Sequence, residues 1–244
     1  MISGWNKRYS EILHEFKYSE KQDTESAIIL DSILRKTVSI KKISEQIKGK
    51  TIFVIGAGPS LSLAIPVLKN FKKAVKIVAD SAVKPLVENG IKPDIVVTDL
   101  DGDEDSLIKV GKTNSIFVVH AHGDNIAKLC LVENFKNCIG TTQSKPFKNI
   151  QNFGGFTDGD RSVFLASHFD AKKIILFGMD FGKKIGKYSQ TKTAERKIKL
   201  KKLRKSRSLL EWLSGKTRSQ LFTTSSPIRG FEKIRYSELD IIIT

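Results

Sequence analysis

A chain of 244 residues, 40% hydrophobic and 28% charged, is long enough to bury one α/β core and has an ordinary globular balance. Two cysteines, Cys130 and Cys138, are too few for a disulfide framework, and no apolar run approaches the roughly 20 residues that a membrane-spanning helix needs. The net charge of +16 is uneven: residues 183–207 hold 12 Lys or Arg and one acid, Glu195, a block of +11 suited to nucleic acid, a membrane surface, polyphosphate or a solvated helix face.

Residues 1–21 mix charge and aromatics and carry no signal-peptide core, which points to a cytoplasmic protein. The first 48 residues form a helical region. Trp5, Tyr9, Ile12, Leu13 and Phe16 fall at helical spacing, and Asp23 or Thr24 is the expected cap of a second helix carrying Ala27, Leu30 and Leu34. A third short segment carries Ile40, Ile43 and Ile47.

From Thr51 onward, short β-rich apolar runs recur: 51–55, 75–79, 95–97, 116–119, 137–139 and 174–177. Runs without alternation predict strands buried on both faces. Helix-like stretches at 60–70, 82–89 and 160–168 lie between them. The alternation predicts βαβ units and a doubly wound, mainly parallel, Rossmann-like sheet of about six strands. The catalytic core is expected over 49–185. A basic helix from Lys192 to Leu213, stopped by Gly215, and a C-terminal segment should pack on it over 186–244. Leu221–Thr224 and Asp240–Ile243 read as late strands or edge segments.

Ligands of open parallel sheets bind beyond the carboxyl ends of the strands. Here those ends carry Gly56-Ala57-Gly58-Pro59-Ser60, Asp80-Ser81, Thr98-Asp99-Leu100-Asp101, His120-Ala121-His122-Gly123-Asp124-Asn125, Gly140-Thr141-Thr142-Gln143 and Gly178-Met179-Asp180. The glycine loop followed by a helix suits a phosphate. It is neither a full dinucleotide fingerprint, since Leu61 takes the third glycine position, nor a Walker loop. Asp99 and Asp101, two apart, would point the same way on an extended chain and offer Mg²⁺ two hard oxygen ligands. His120 and His122 have no third ligand of suitable spacing for zinc, so contact with phosphate or metal-bound water is expected, with Asp124 a further metal or base candidate. In the loop Gly154-Gly155-Phe156-Thr157-Asp158-Gly159-Asp160-Arg161, Gly155 and Phe156 could close over a planar ring, Asp158 and Asp160 add carboxylates, and Arg161 could pair with phosphate. His14 and His168 are read as structural.

Taken in order, Gly56-Ala57-Gly58-Pro59-Ser60-Leu61, Ala79-Asp80-Ser81-Ala82, Pro93-Asp94 with Thr98-Asp99-Leu100-Asp101, His120 to Asn125, and Phe156 to Arg161 resemble the archaeal 6-hydroxymethyl-7,8-dihydropterin pyrophosphokinase family over about residues 50–185. The Asp80 region and the Pro-Asp…Asp-Leu-Asp run also resemble thiamin pyrophosphokinases, which implies Mg²⁺ on Asp99 and Asp101. The resemblance implies diphosphoryl transfer from ATP to a hydroxymethyl pterin, giving AMP and the pterin diphosphate, in pterin cofactor biosynthesis. Asp99, Asp101, Asp124 and Arg161 would then be catalytic. Gly56, Gly58, Pro59, Ser60, Asp80, Ser81, His120, His122, Asn125, Thr141, Thr142, Gly155, Phe156, Asp158, Asp160, Met179 and Asp180 would bind substrate or ATP. Outside the resemblance, the basic segment 183–207 reads either as a lid whose Lys183, Lys184, Lys187 and Lys192 meet the phosphates while Lys201, Lys202 and Lys205 do little, or as a solvated helix that packs by its leucine stripe.

Three other readings share some of these residues. Another hydroxymethyl heterocycle could be the acceptor. A similar Gly-x-Gly-Pro-Ser-Leu and Pro-Asp pattern occurs in flagellin-modifying glycosyltransferases, which are usually much longer, and the Asp99/Asp101 pair favours the kinase. A nucleic-acid-binding role would rest on charge alone and leave the polar strand ends incidental.

Overall fold

A computed structural model describes residues 2–34, 37–189 and 191–243. Three helices come first: α1 (Trp5–Phe16), α2 (Glu20–Ile33) and α3 (Ile40–Ile47). The strands β1 (Thr51–Ile55), β2 (Val75–Ala79), β3 (Ile95–Thr98), β4 (Ile116–His120), β5 (Cys138–Thr141) and β6 (Lys173–Phe177) follow. Between them lie α4 (Leu61–Leu68), α5 (Val83–Glu88), α6 (Glu104–Gly111), a 3₁₀ stretch (Gly123–Asn134) and α7 (Asp158–His168). The chain ends with α8 (Arg196–Ser214), β7 (Gln220–Thr223), β8 (Glu232–Lys233) and α9 (Leu239–Ile243).

All described strands join one parallel sheet in the order β5-β4-β3-β2-β1-β6-β7-β8. This is the α/β architecture expected from the alternating apolar runs, with eight strands rather than six. Side chains alternate across each strand, so Ile52 and Val54 enter one core while Phe53 and Ile55 enter the other. The first core is closed by α1, α3, α7 and α8, and the second by α2, α4, α5, α6 and the 3₁₀ stretch. Burial on both faces explains why the strands read as unbroken apolar runs.

The strand order reverses beside β1. From β1 the chain steps outward to β5, then returns through α7 to place β6 on the other side of β1. Two adjacent loops therefore leave the sheet in opposite directions, which opens a crevice at their carboxyl ends. The crevice is stitched at its base, where the Gly56 amide donates to the Phe177 carbonyl (2.9 Å) and the Gly58 amide to the Gly178 carbonyl (2.8 Å).

Local details differ from the sequence reading in several places. Helix α2 starts earlier, with Ser19 accepting from the Gln22 amide, and the expected caps Asp23 and Thr24 lie inside it. Asp23 is buried there and accepts from the Tyr9 hydroxyl at 2.8 Å, so a tertiary partner takes the side chain that local chemistry would spend on a cap. Residues 240–243 form α9 rather than a strand. A 3₁₀ turn at Tyr236–Glu238 starts it, with the Arg235 amide donating to Glu238, and a short Ile run has no periodicity to separate strand from helix. The basic helix starts at Arg196, four residues later than expected, and ends at Gly215 as expected.

Candidate active site

The strand exits converge on four carboxylates. Asp80 follows β2, Asp99 and Asp101 follow β3, and Asp158 opens α7. One oxygen of each lies within 4.8 Å of the others. Asp99 and Asp101 do not meet by strand alternation, because β3 ends at Thr98 and Leu100 turns left-handed at φ 68°. This conformation is costly for a bulky residue, on the order of 1–3 kcal/mol, and must be imposed by its surroundings. Leu100 is buried and its amide donates to Thr98 Oγ1 at 2.7 Å. The Asp80 carboxylate accepts from the Thr98 hydroxyl (2.8 Å) and from the amides of Asp101 and Gly102 (both 3.0 Å), which fixes the turn. Asp80 therefore builds the Asp99–Asp101 turn as well as joining the cluster.

The charges in this cluster are unequal. Burial raises Asp80 well above the usual carboxylate range, and the charges of Asp101 and Asp99 push the same way. Asp101 is raised first by Asp99 and then by burial. Asp158 is raised by burial and by Asp99. Burial also works against Asp99, but a hydrogen bond and charge from His122 and the charge of Arg161 outweigh it and hold Asp99 low. His122 Nε2 lies 3.4 Å from Asp99, and the Arg161 guanidinium lies 3.0 Å from Asp158 and 3.9 Å from Asp99.

This donor set fits a hard divalent cation. Carboxylates from three separate elements converge, and the buried Asp80 Oδ1 and Asp99 Oδ1 make no hydrogen bond. Unpaired acceptor oxygens that repel one another are what such an ion satisfies.

Beside the cluster runs a cleft along the crevice between β1 and β6. Gly56, Gly58, Pro59, Asp80, Ser81, Asp99, Asp101, Phe156, Asp158, Met179 and Asp180 line it, all expected as site residues. A Cβ on Gly58 would stand 2.4 Å from Asp180 Oδ2 and 2.6 Å from the Gly178 carbonyl, so only glycine fits there. Ser60 is not on the wall. Its amide and hydroxyl donate to Asp180 (2.9 and 2.7 Å), which occupies part of the α4 N-terminus expected to receive an anion.

A smaller recess adjoins the cleft and shares Asp99, Phe156 and Lys202 with it. His122, Asp124 and Arg161 line this recess. Asp124 sits outside the carboxylate cluster and is mostly exposed.

Other expected residues touch neither space and hold the walls. Asn125 donates to the Asp99 and His120 carbonyls (2.8 and 2.7 Å), tying the β3 and β4 exits together. Asp160 is fully buried and accepts from the amides of Phe156 and Thr157 and the hydroxyl of Ser206. Thr141 joins His120 Nδ1 (3.2 Å) to the Val119 carbonyl, and Thr142 contacts Ser144. Gly155, at φ 92°, lies against the Arg161 backbone.

Sequence reasoning missed the inner face of α8. Lys199, Lys202, Leu203 and Ser206 line the cleft, while Lys201 and Lys205 pair with Glu11 and Glu15 on α1. Of the four lysines assigned to a lid, Lys184 is on the wall, and Gly186 of the same loop packs against the backbone of Ala57 and Gly58. The i, i+3, i+7 spacing of Lys199, Lys202 and Ser206 was the available signal, but the leucine stripe had claimed the helix for packing.

The fold and this acidic, lysine-faced crevice at the switch point define an α/β enzyme. A family model described as 6-hydroxymethylpterin diphosphokinase MptE-like matches residues 29–186. The chain belongs to that family. It is 44% identical over 233 residues to the 6-hydroxymethyl-7,8-dihydropterin pyrophosphokinase of Methanocaldococcus jannaschii, covering 88% of this chain and 96% of that one. Identity to the protein of the same description from Pyrococcus furiosus is 42% over 227 residues, covering 91% and 97%. For that of Methanothermobacter thermautotrophicus it is 38% over 219 residues, covering 87% and 94%. Among solved structures, the MAf glycosyltransferase of Magnetospirillum magneticum AMB-1 is similar with a TM-score of 0.56 at 15% identity. The likeness covers 86% of this chain but 39% of that one, and it shows the fold alone. Among the described residues no helix is long and apolar enough to cross a membrane.

Proposed function

We propose that the protein transfers a diphosphoryl group from ATP to the hydroxyl of 6-hydroxymethyl-7,8-dihydropterin, giving AMP and the pterin diphosphate, as a cytoplasmic step in making a pterin cofactor. The observation that carries this reading is the convergence of Asp80, Asp99, Asp101 and Asp158 beside a glycine loop and the lysine face of α8. The names of the relatives supply the acceptor.

In the reaction the substrate hydroxyl oxygen bonds to the β-phosphorus, the bond from that phosphorus to the α–β bridging oxygen breaks, AMP leaves, and the hydroxyl proton is lost. The protein's task is positioning and charge stabilisation. The backbone of Gly56 and Gly58 lets a phosphate chain approach closely, and Lys184, Lys199 and Lys202 offset its charge. Asp80, Asp99, Asp101 and Asp158 would hold a divalent cation, Mg²⁺ in this reading, which when bound neutralises phosphate oxygens. His122 and Arg161 keep Asp99 ionised and oriented.

The test is a product assay with ATP, Mg²⁺ and the hydroxymethyl dihydropterin, resolved by chromatography. AMP and pterin diphosphate in equal amounts are expected. ADP as product, or no pterin-dependent turnover, refutes the reading.

A further inference from the structure

We infer that the recess adjoining Asp99 is the acceptor's subsite, and that Asp23 and Gln143 there read the edge of a flat heterocycle carrying a ring N–H beside an exocyclic amine. This rests on the function proposed above and goes beyond it by naming where and how the acceptor is recognised. Asp23 comes from α2, and Gln143 ends the Gly140-Thr141-Thr142-Gln143 run at the exit of β5.

The recess suits a neutral, donor-bearing ring better than a polyphosphate, because the groups that handle a phosphate chain and its cation stand in the larger cleft. The glycine loop, Lys184, Lys199 and the carboxylates Asp80, Asp101 and Asp158 line the larger cleft and are absent from the recess, where Asp23 and Asp124 stand with the shared Asp99 against Arg161, His122 and the shared Lys202. A phosphate chain with its cation finds partners in the first space, and the second offers mixed charge and buried acceptors. Because Asp99 and Phe156 line both spaces, an acceptor in the recess and a nucleotide in the cleft meet at the carboxylate cluster.

Asp23 is only 4% exposed, yet it lines this recess. Its Oδ2 accepts from the Tyr9 hydroxyl (2.8 Å) and its Oδ1 from the Gly123 amide (3.1 Å). A carboxylate has about four lone-pair positions, so each oxygen can accept once more. Burial and the Asp23 charge push the Tyr9 hydroxyl above its ordinary value, so it stays protonated and donates to Asp23. Two acceptors side by side match two donors side by side, here a ring N–H and the neighbouring amine.

Gln143 is also 4% exposed and lines the same recess. Its Oε1 is buried with no hydrogen-bond partner. An orphan buried amide costs free energy unless something meets it. A donor on the ligand can meet that oxygen, while the N–H groups of the same amide can donate to the ring carbonyl that adjoins the donor pair in a pterin. The flat faces of Phe156 and Tyr18, whose centroids are 6.3 Å apart, form the apolar side of the recess.

The proposal is tested with the full chain and two fluorescent probes, 6-hydroxymethylpterin and its 2-oxo counterpart, 6-hydroxymethyllumazine, which carries oxygen in place of the 2-amine. Wild-type protein should bind the pterin about tenfold or more tightly than the lumazine, from the pairing lost. Asp23→Asn should erase most of that preference while the Kd for ATP changes less than about twofold. Gln143→Leu should weaken both probes and likewise spare ATP. A merely structural Asp23 would lower stability without altering the pterin-to-lumazine ratio, so an intact ratio in D23N overturns the assignment. If D23N does not fold, the Q143L result decides: pterin affinity within about twofold of wild type overturns the subsite. ATP binding that falls in place of pterin binding gives the recess to the nucleotide and also overturns it. Wild-type protein that neither binds the pterin nor turns it over overturns the proposed function itself, and the subsite with it, before any variant is compared.

Discussion

His122 Nε2 lies 3.4 Å from the Asp99 carboxylate, so a residue leaving β4 holds the charge of a residue leaving β3. Asp101, two positions on, makes no ion pair among the described residues and is raised mainly by its neighbour Asp99, against the charge of Lys199. The two acids therefore differ in what their removal should do.

Asp101→Asn removes one of four mutually repelling carboxylates and breaks no cation pair. We expect turnover to fall by about 100-fold or more, the scale of losing one element of transition-state charge stabilisation. The Tm of the metal-free protein should be unchanged or higher, since repulsion is relieved. Asp99→Asn should lose activity as fully but also lower Tm, because it removes the charge that faces both His122 and the buried Arg161, leaving Arg161 with Asp158 alone. Steady-state kinetics and melting with chelator present check both. Near wild-type turnover of D101N at saturating Mg²⁺ would remove Asp101 from the site.

The basic helix divides by face. Lys202 lines both spaces, and its ammonium stands 5.6 Å from the Tyr18 ring and 6.0 Å from that of Phe156. Burial works against its charge, but Tyr18 and Asp99 outweigh this and hold it above the ordinary lysine value. Lys202→Ala and Lys199→Ala should each raise the KM for ATP, by about tenfold for Lys202, and more steeply at low salt. Lys201→Ala and Lys205→Ala break pairs with Glu15 and Glu11 and should leave KM alone, costing about 0–1 kcal/mol of stability. Equal KM changes on both faces would mean that the helix acts by diffuse charge only.

Much of the site was legible because a parallel sheet delivers its ligands' residues at strand exits, where short apolar runs stop at Asp, Gly or Ser. That places Asp80, Asp99, Asp101 and the glycine loop without any tertiary information. The remainder depends on contacts far apart in sequence. Lys202 faces the site because Ser206 beneath it bonds Asp160 (2.8 Å), a contact across 46 positions. Asp23 and Gln143 meet only after α2 docks on the 3₁₀ stretch beyond β4. Leu100 shows a further limit. The spacing of Asp99 and Asp101 suggested a cation site, but the convergence comes from a left-handed turn that an apolar residue gives no reason to expect.

Gly58 ties the two halves of the crevice together. Gly58→Ala would drive its methyl group into Asp180 and the Gly178 carbonyl. The β1 and β6 exits would have to part, at a cost of about 1–3 kcal/mol. Because Asp180 also receives Ser60, the glycine loop itself should shift, so nucleotide binding should fall with stability. Gly49→Ala is the control: at φ 70° it is strained but has nothing within 4 Å and lies away from the site, so it should lower Tm and spare ATP binding. Calorimetric titration with ATP and a melting curve separate the two.

The final prediction concerns pH. His120 is 2% exposed and is pushed well below its usual value of 6.5, first by burial and then by the charges of Arg161 and His122. The folded protein keeps it neutral, with Nδ1 against Thr141 and Nε2 without a partner. The unfolded chain takes up a proton at this position as pH falls through about 6.5, whereas the folded one does not until well below that. The unfolded state therefore binds more protons in this window, and the contribution of His120 to stability is lost as pH falls, by about 1.4 kcal/mol for each unit of separation. His168, lowered mainly by burial, has the same sign. Asp80 and Asp158 have the opposite sign: their raised values mean that the fold takes up protons first, which adds stability as pH drops toward 3.8. The wild-type profile is thus a sum, and a variant must isolate the histidine. His120→Asn keeps a polar atom near Nδ1 and removes the titration. It should be less stable than wild type at pH 8, and the gap should narrow as pH is lowered from 7 to 5. Denaturant melts with chelator present across that range check this; a gap that stays constant would show that His120 is protonated in the folded protein as readily as in the unfolded chain.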